Sequence, residues 1–515
     1  MSEPASAIRS IVIVGGGTAG WSAAACLARF LAKRGTAITL VKSSAIGTVG
    51  VGEASVPNIQ NFNRYVGLSE RDFISGANGT FKLGIRFDDW VRHGSSFFHP
   101  FGGYGLPFEE VEFHHCLNRA RELGDRLDLA DYSLPVAMAR SARFSQPSPD
   151  NRSPLGDFGY AYHFDAGLYA QQLARIAKSA GVREIDARIC GVSRRPSDGW
   201  IEALELENGA RLAADLFVDC SGFNALLIGK ALETPYEDWS RWLPCDRAVA
   251  VPSAPTTGEL PPYTVARALE AGWSWRIPLQ HRIGNGYVYS SRHIDAEAAT
   301  ERLLASLPSP PVGEPNHLRF QAGMRASFWT ANCVALGLAG GFIEPLESTS
   351  INLVHRGLST LMDFYPQHAF DPRQIAAANR RFRAEQENIR DFIILHYWAS
   401  SRNDTAFWRQ FRDMSLPQSL SDRIDSYLAC GYLEPWFADS FKAESWLTMF
   451  EAFGLRPAQS DSRVLDIDMD AVRRALPQIK AAIATGAAQA PLHAEFMARN
   501  FSREAVPPNK SLQEA

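Results

Sequence analysis

Along residues 11–42 the chain is apolar, then small, then apolar again. Ile11–Val14 is four β-formers in a row, SAAACLA (22–28) is small and helix-favouring, and AITLVK (37–42) returns to β-formers. Apolar runs too short for a helix read as strands buried on both faces, so this region predicts strand, helix, strand of a parallel sheet. TFKLGIRFDDW (80–90) alternates instead, with Phe81, Leu83, Ile85 and Phe87 on one face and Lys82, Gly84, Arg86 and Asp88 on the other. Period two over that length predicts one strand, and on the pattern alone Lys82 is a solvated side chain. Residues 162–181 carry Leu168, Leu173 and Ile176 at helical spacing and predict a helix closed by Gly181. Short strands with polar turns follow over 182–209, and ADLFVDCSGF (214–223) predicts a strand returning beside the first one. AGWSWRIP (271–278) and GYVYS (286–290) predict two strands joined by a turn around Gly284-Asn285-Gly286, with Trp273 and Trp275 on one face. Beyond Asp371 the period is helical over 374–399, 417–429, 445–453 and 469–485, and EAVPPNKSLQEA at the end predicts disorder.

Chemistry concentrates at the junctions of these elements. The first strand runs into Gly15-x-Gly17-x-x-Gly20, where missing side chains let a pyrophosphate approach a helix N-terminus, so Gly15, Gly17, Thr18, Ala19 and Gly20 are candidate dinucleotide ligands. An acid is expected near the end of the second strand for the ribose hydroxyls, and Lys42 stands there. IGTVGVGEASVP (46–57) predicts a loop over the ring end of the cofactor, offering Val51, Glu53 and Ala54. VALGLAGGFIEPLESTSINL (334–353) takes a strand through Leu338 and Gly341 to Ser348-Thr349-Ser350 ahead of a helix, an anion site in the making. Glu347 beside that turn has either a chemical task or a helix-capping one. His99 lies in the aromatic run Phe97–Phe98 and onwards, and could face a substrate or be packed structure; SQPSPDNRSPLGDFG (145–159) predicts a linking loop.

Composition excludes more than it selects. A chain of 515 residues with 46% hydrophobic and 21% charged residues is an ordinary globular protein. A net charge of −4 with dispersed Lys and Arg gives no footprint for nucleic acid. No apolar run reaches bilayer length and no signal peptide is recognised, so neither membrane nor export is expected and a cytoplasmic location is. Seven cysteines, scattered singly without a CxxC pair, predict neither disulfides nor a metal site. Twelve Trp and thirty Phe leave rings to spare for an aromatic pocket.

With these stretches in view, the sequence resembles the flavin-dependent tryptophan halogenase family over nearly its whole length. The resemblance rests on the glycine motif, on GVGEASVP (50–57), on Phe81-Lys82, on Trp273-x-Trp275-x-Ile277-Pro278, on EPLEST (344–349) and on LHYWASSRNDTAFW (395–408). It implies an α/β fold: a Rossmann-like (GxGxxG) FAD-binding, flavin monooxygenase-type sheet domain (1–96 and 155–370) with a mainly helical substrate-side module (97–154 and 371–515). It implies reduced FAD supplied by a separate flavin reductase, O2, and chloride or bromide oxidised to hypohalous acid. Lys82 and Glu347 map to the family's catalytic lysine and glutamate, Thr349 and Ser350 to its halide turn, and the Trp273–Pro278 signature to the side of the flavin. Phe98, His99, Trp398 and Trp436 are the substrate-side candidates, and family members are often dimers, which leaves a homodimer open.

Three departures qualify the resemblance. Ser350 replaces the glycine of the Thr-Gly halide turn, Lys42 replaces a ribose-binding glutamate, and the Tyr-Tyr pair that grips free tryptophan is absent from the sequence. Without those tyrosines an amino acid's charged end would be desolvated without partners, so indole or an indole derivative is favoured over free tryptophan. The alternatives are an FAD-dependent aromatic hydroxylase, whose product would not depend on halide, and a flavin-binding protein without turnover.

Overall fold

The computed structural model describes residues 8–45, 52–148, 156, 158–256, 258, 260–367, 369–435 and 440–501. Of the sequence expectations, Trp436, residues 46–51 of the 46–57 loop with Val51 among them, 149–155 and the C-terminal dozen lie outside them. The first strand, Ser10–Val14, pairs in parallel with Ala37–Lys42 on one side and with Leu216–Asp219 on the other. The sheet it centres has six strands, ordered Trp329–Thr330, Cys333–Ala335, Leu216–Asp219, Ser10–Val14, Ala37–Lys42, Arg183–Asp186. All but the Trp329–Thr330 edge are parallel. Ile11–Val14 is buried because helices cover the sheet, Thr18–Phe30 packing against Ala166–Ser179 on one face.

Gly20 fixes how closely that first helix approaches its strand. A Cβ there would lie 1.9 Å from the Gly15 carbonyl oxygen, a backbone atom that cannot yield. Gly20→Ala is therefore expected to cost about 3 kcal/mol, the upper end for overpacking, and to remove dinucleotide binding with it. A thermal melt with and without FAD would check both.

A seven-stranded, mostly antiparallel sheet stands beside the first, ordered Asn316–Arg319, Arg247–Ser253, Ile283–Tyr289, Gly272–Pro278, Thr264–Leu269, Gly84–Asp88, Ser96–Pro100. A small third sheet pairs Gly52–Ala54 and Thr80–Lys82 with Ala161–Asp165. The region read as one strand over 80–90 is thus two, in different sheets. The chain leaves the first at Leu83, whose N–H donates to Pro262 (2.7 Å) and whose carbonyl accepts from Phe101 (2.9 Å). Lys82 ends the small sheet at this corner, with no exposed surface at all, which corrects the solvated reading.

Two other expectations shift. Residues 161–165 form a strand, and the helix starts only at Ala166, where the Asp165 carboxylate accepts from the Leu168 N–H (3.1 Å). Gly284 and Gly286 lie inside Ile283–Tyr289, not in a turn; the reversal is at 279–282, where Leu279 N–H donates to the Arg282 carbonyl (2.9 Å). Gly286 is needed for another reason: the Trp275 ring lies against it, 2.0 Å from where a Cβ would stand.

The chain beyond 371 is helical, led by the 27-residue helix Pro372–Trp398. Phe392 of that helix stacks on Phe441 (ring centroids 3.9 Å apart) and meets Trp446 edge-on. Helices Phe113–Glu122 and Leu134–Arg140 pack against Met469–Gln489, and one apolar core runs continuously from Ile11 to Met497.

Candidate functional site

A cavity of about 1260 Å³ opens at the glycine turn. It exceeds the ~300–1,000 Å³ of ordinary small-molecule pockets, as an extended dinucleotide needs. Gly15, Gly17, Thr18 and Ala19 line one end, Lys42 flanks it, and Leu338 and Gly341 close one wall. Thr18–Phe30 begins without a side-chain cap and without an acid in its first turn, so its leading N–H groups are free for a pyrophosphate. Glu53, Ala54, Trp273, Trp275, Ile277, Ser348 and Ser350 line it as well. Burial pushes the Glu53 carboxyl up to about 7. These residues fit an extended dinucleotide such as FAD. Gly20 lies beneath the turn as packing, and Pro278 sits behind the wall, its carbonyl accepting from Thr80 (2.7 Å).

Ser350 opens the helix Ser350–Asp363, with Thr349 at its N-cap position. No hydroxyl caps this helix, and Thr349 Oγ1, fully buried, has no protein partner. The first N–H groups of a fourteen-residue helix plus an unpartnered hydroxyl form an anion-binding corner. Ser350 lines the cavity; Thr349 is set one step behind it.

Ser348 links this corner to the lysine. Lys82 Nζ donates to Ser348 Oγ (2.9 Å) and to the Ser55 carbonyl (3.0 Å), and lies 5.0 Å from the centre of the Phe101 ring. Ser348 itself faces the cavity, in the left-handed conformation (φ 61°) that turns the loop after Pro345–Glu347. Burial lowers the Lys82 ammonium to about 7, with the Glu347 charge opposing that fall.

Glu347, adjoining Ser348, does not cap the helix. Its carboxylate is clasped by two histidines: His99 Nδ1 lies 3.0 Å from both oxygens, and His396 Nε2 lies 3.0 Å from Oε1. Burial would raise the carboxyl, but the histidine charges and hydrogen bonds outweigh it and hold the group at about 2. His396 Nδ1 must also donate, to the Phe392 carbonyl at 2.7 Å. A carbonyl and a carboxylate both accept, so both ring nitrogens of His396 face acceptors. His99 Nε2 is buried without a protein partner.

The motifs converge a second time at Glu344. Its Oε2 accepts from Trp273 Nε1 and from the Tyr397 hydroxyl, each at 2.6 Å, and burial pushes the carboxyl up to about 7. The Trp273 and Trp275 rings lie 6.1 Å apart, on one face as expected. Of the substrate-side candidates, His99 is brought to Glu347, whereas Phe98 points to the other face of its strand against Tyr263 and Trp398 ends its helix half-buried.

Sequence reasoning missed His396, Glu344 and Tyr397 as site residues. Among the described residues no helix is long and apolar enough to cross a membrane, no cluster could hold a metal ion, and all seven cysteines are free.

The model of the tryptophan halogenase family matches residues 10–468. Tryptophan 6-halogenase SttH of Streptomyces toxytricini is 37% identical over 442 residues, 81% of this chain and 83% of its own. Tryptophan 7-halogenase RebH of Lentzea aerocolonigenes is 37% identical over 448 residues, 82% of each. Among solved structures, BrvH, a flavin-dependent halogenase from Brevundimonas sp. BAL3, superposes with a TM-score of 0.92 at 44% identity, over 96% of this chain and 99% of that one. The chain therefore belongs to the tryptophan halogenase family, and is a flavin-dependent halogenase.

Proposed function

We propose that this enzyme takes reduced FAD from a separate flavin reductase and, with O2 and chloride or bromide, halogenates indole or an indole derivative in preference to free tryptophan. The observation that carries the reading is the contact between Lys82 and Ser348, which joins the cavity wall to a buried cation beside an ionised Glu347. Bound reduced FAD, with O2, supplies the oxidising power that turns halide into hypohalous acid. The chain's own residues do the rest.

The uncapped turn at Thr349 and Ser350 holds the halide beside the ring end of the cavity. Ser350 crowds a spot where the family's Thr-Gly turn leaves bare backbone, and bromide, more weakly hydrated and more easily oxidised than chloride, loses less on entering such a corner. Lys82, hydrogen-bonded to Ser348, receives the oxidant on leaving the cavity and polarises it toward the arene. Glu347 orients that donor and accepts the proton lost by the arene. A carboxylate held at about 2 is a weak base, but a protonated arene is acidic enough to need no stronger one. His99 Nε2, buried and without a protein partner, is left to hydrogen-bond a polar group of an arene held between the sheet part and the helical part.

The test is turnover with flavin reductase, FAD, NADH and O2, comparing indole with tryptophan in chloride and in bromide. The expected product is haloindole, formed about 100-fold faster than halotryptophan, the scale set by leaving charged groups without partners, and faster in bromide. Equal turnover of free tryptophan would overturn the substrate reading, and hydroxylated product independent of halide would overturn the reaction.

A further inference from the structure

The strand Ala37–Lys42 ends in a lysine where such a sheet ordinarily offers a carboxylate to ribose. Strand pairing fixes what lies next to it: Leu40 is opposite Glu184 and Lys42 opposite Asp186 on the parallel strand Arg183–Asp186. Lys42 Nζ meets Glu184 Oε1 at 2.6 Å, and Lys178, from the helix Ala166–Ser179, takes Oε2. Lys42, Lys178 and Glu184 all line the cavity that starts at the glycine turn. Asp186 does not; it is turned away to the Ser44 N–H at 2.8 Å. The Lys42 stem lies against Gly16 of the glycine turn, 2.7 Å from where a Cβ would stand.

We propose that Glu184, carried on the neighbouring strand and held by Lys42 and Lys178, supplies the missing carboxylate and accepts the hydrogen bonds of the ribose diol of the adenosine half of FAD. This rests on the reading of the cavity as the FAD site. An ionised carboxylate has about four lone-pair directions; the lysines occupy one on each oxygen, and one on each remains for the two hydroxyls. Burial raises the Glu184 carboxyl, but the two lysines more than offset it and keep the group ionised. The sequence departure at Lys42 is then a relocation of the acid by one strand, with the lysine as its counter-ion.

Binding measurements distinguish this from its alternatives without turnover. FAD affinity is measured by flavin fluorescence, and ADP and 2′,3′-dideoxyadenosine diphosphate are titrated as competitors. In the native protein the dideoxy compound is expected to bind about tenfold more weakly than ADP, the loss of a hydrogen bond to a charged acceptor. Glu184→Gln should weaken FAD and ADP by a similar factor and abolish the difference between the two competitors. Lys42→Glu, which restores the acid at the strand end, should weaken FAD by setting two carboxylates together, and adding Glu184→Gln should recover it. Equal binding of ADP and its dideoxy analogue by the native protein, or an undiminished difference in Glu184→Gln, would overturn the proposal. Failure of the native protein to bind FAD at all would instead sink the cavity reading. The native-protein arm needs no variant to fold.

Discussion

Lys82→Ala is expected to lower the halogenation rate by about 10³-fold, the scale for removing one group aimed at the reacting atoms, while FAD still binds. The separation follows from geometry. Lys82 does not line the cavity; it touches it through Ser348, so the cofactor keeps its contacts when the lysine is lost. A burst of hypohalite detected in solution by the variant, in place of haloarene, would show the oxidant made but not captured. Loss of FAD affinity in parallel with activity would count against the assignment.

The same lysine makes two pH predictions. Burial lowers it from 10.5 to about 7, so the folded state releases its proton at lower pH than the unfolded chain. Between those values the unfolded state binds more protons, and stability rises with pH. Lys82→Met should lack that slope and be more stable at neutral pH by on the order of a few kcal/mol. Activity runs the other way. The Phe101 ring and the Glu347 charge both favour the ammonium form, so turnover is expected to fall as pH rises through about 7. A rise would point to the neutral amine, and with it to a haloamine.

What could be read from the chain alone follows the range of each signal. The glycine turn and the Trp273–Trp275 face were legible because neighbours in sequence carry them. Lys82 was located through resemblance, not periodicity: alternation says which residues share a face, not whether the opposite face is also covered. His396 was hidden inside the apolar stretch FIILHYW, since its partner Glu347 is 49 positions away, and His99 is 248 positions from the same carboxylate. Gly286 misled because a glycine that admits a ring looks like one that makes a turn. Glu184 is a special case: only strand pairing sets it beside Lys42.

Glu347→Gln is the second large effect expected, a fall of about 10²-fold in kcat with little change in KM for the arene. The amide keeps the shape and loses the charge. His396, held between a carbonyl and a carboxylate, then loses its charged partner, and breaking a buried pair on one side costs about 3–5 kcal/mol. In the native protein the Glu347 carboxyl is depressed from 4.5 to about 2, so its contribution to stability is complete above 4.5 and is lost as pH falls toward 2. An acid-unfolding curve of the variant should lack that component. The same substitution reports on Lys82: the Glu347 charge props up the lysine's proton affinity, so removing it should move the alkaline fall in activity to lower pH. A fall left in place would mean that the carboxylate and the ammonium do not feel each other, and that Glu347 acts on the arene alone; a move to higher pH would remove Lys82 as the group that titrates.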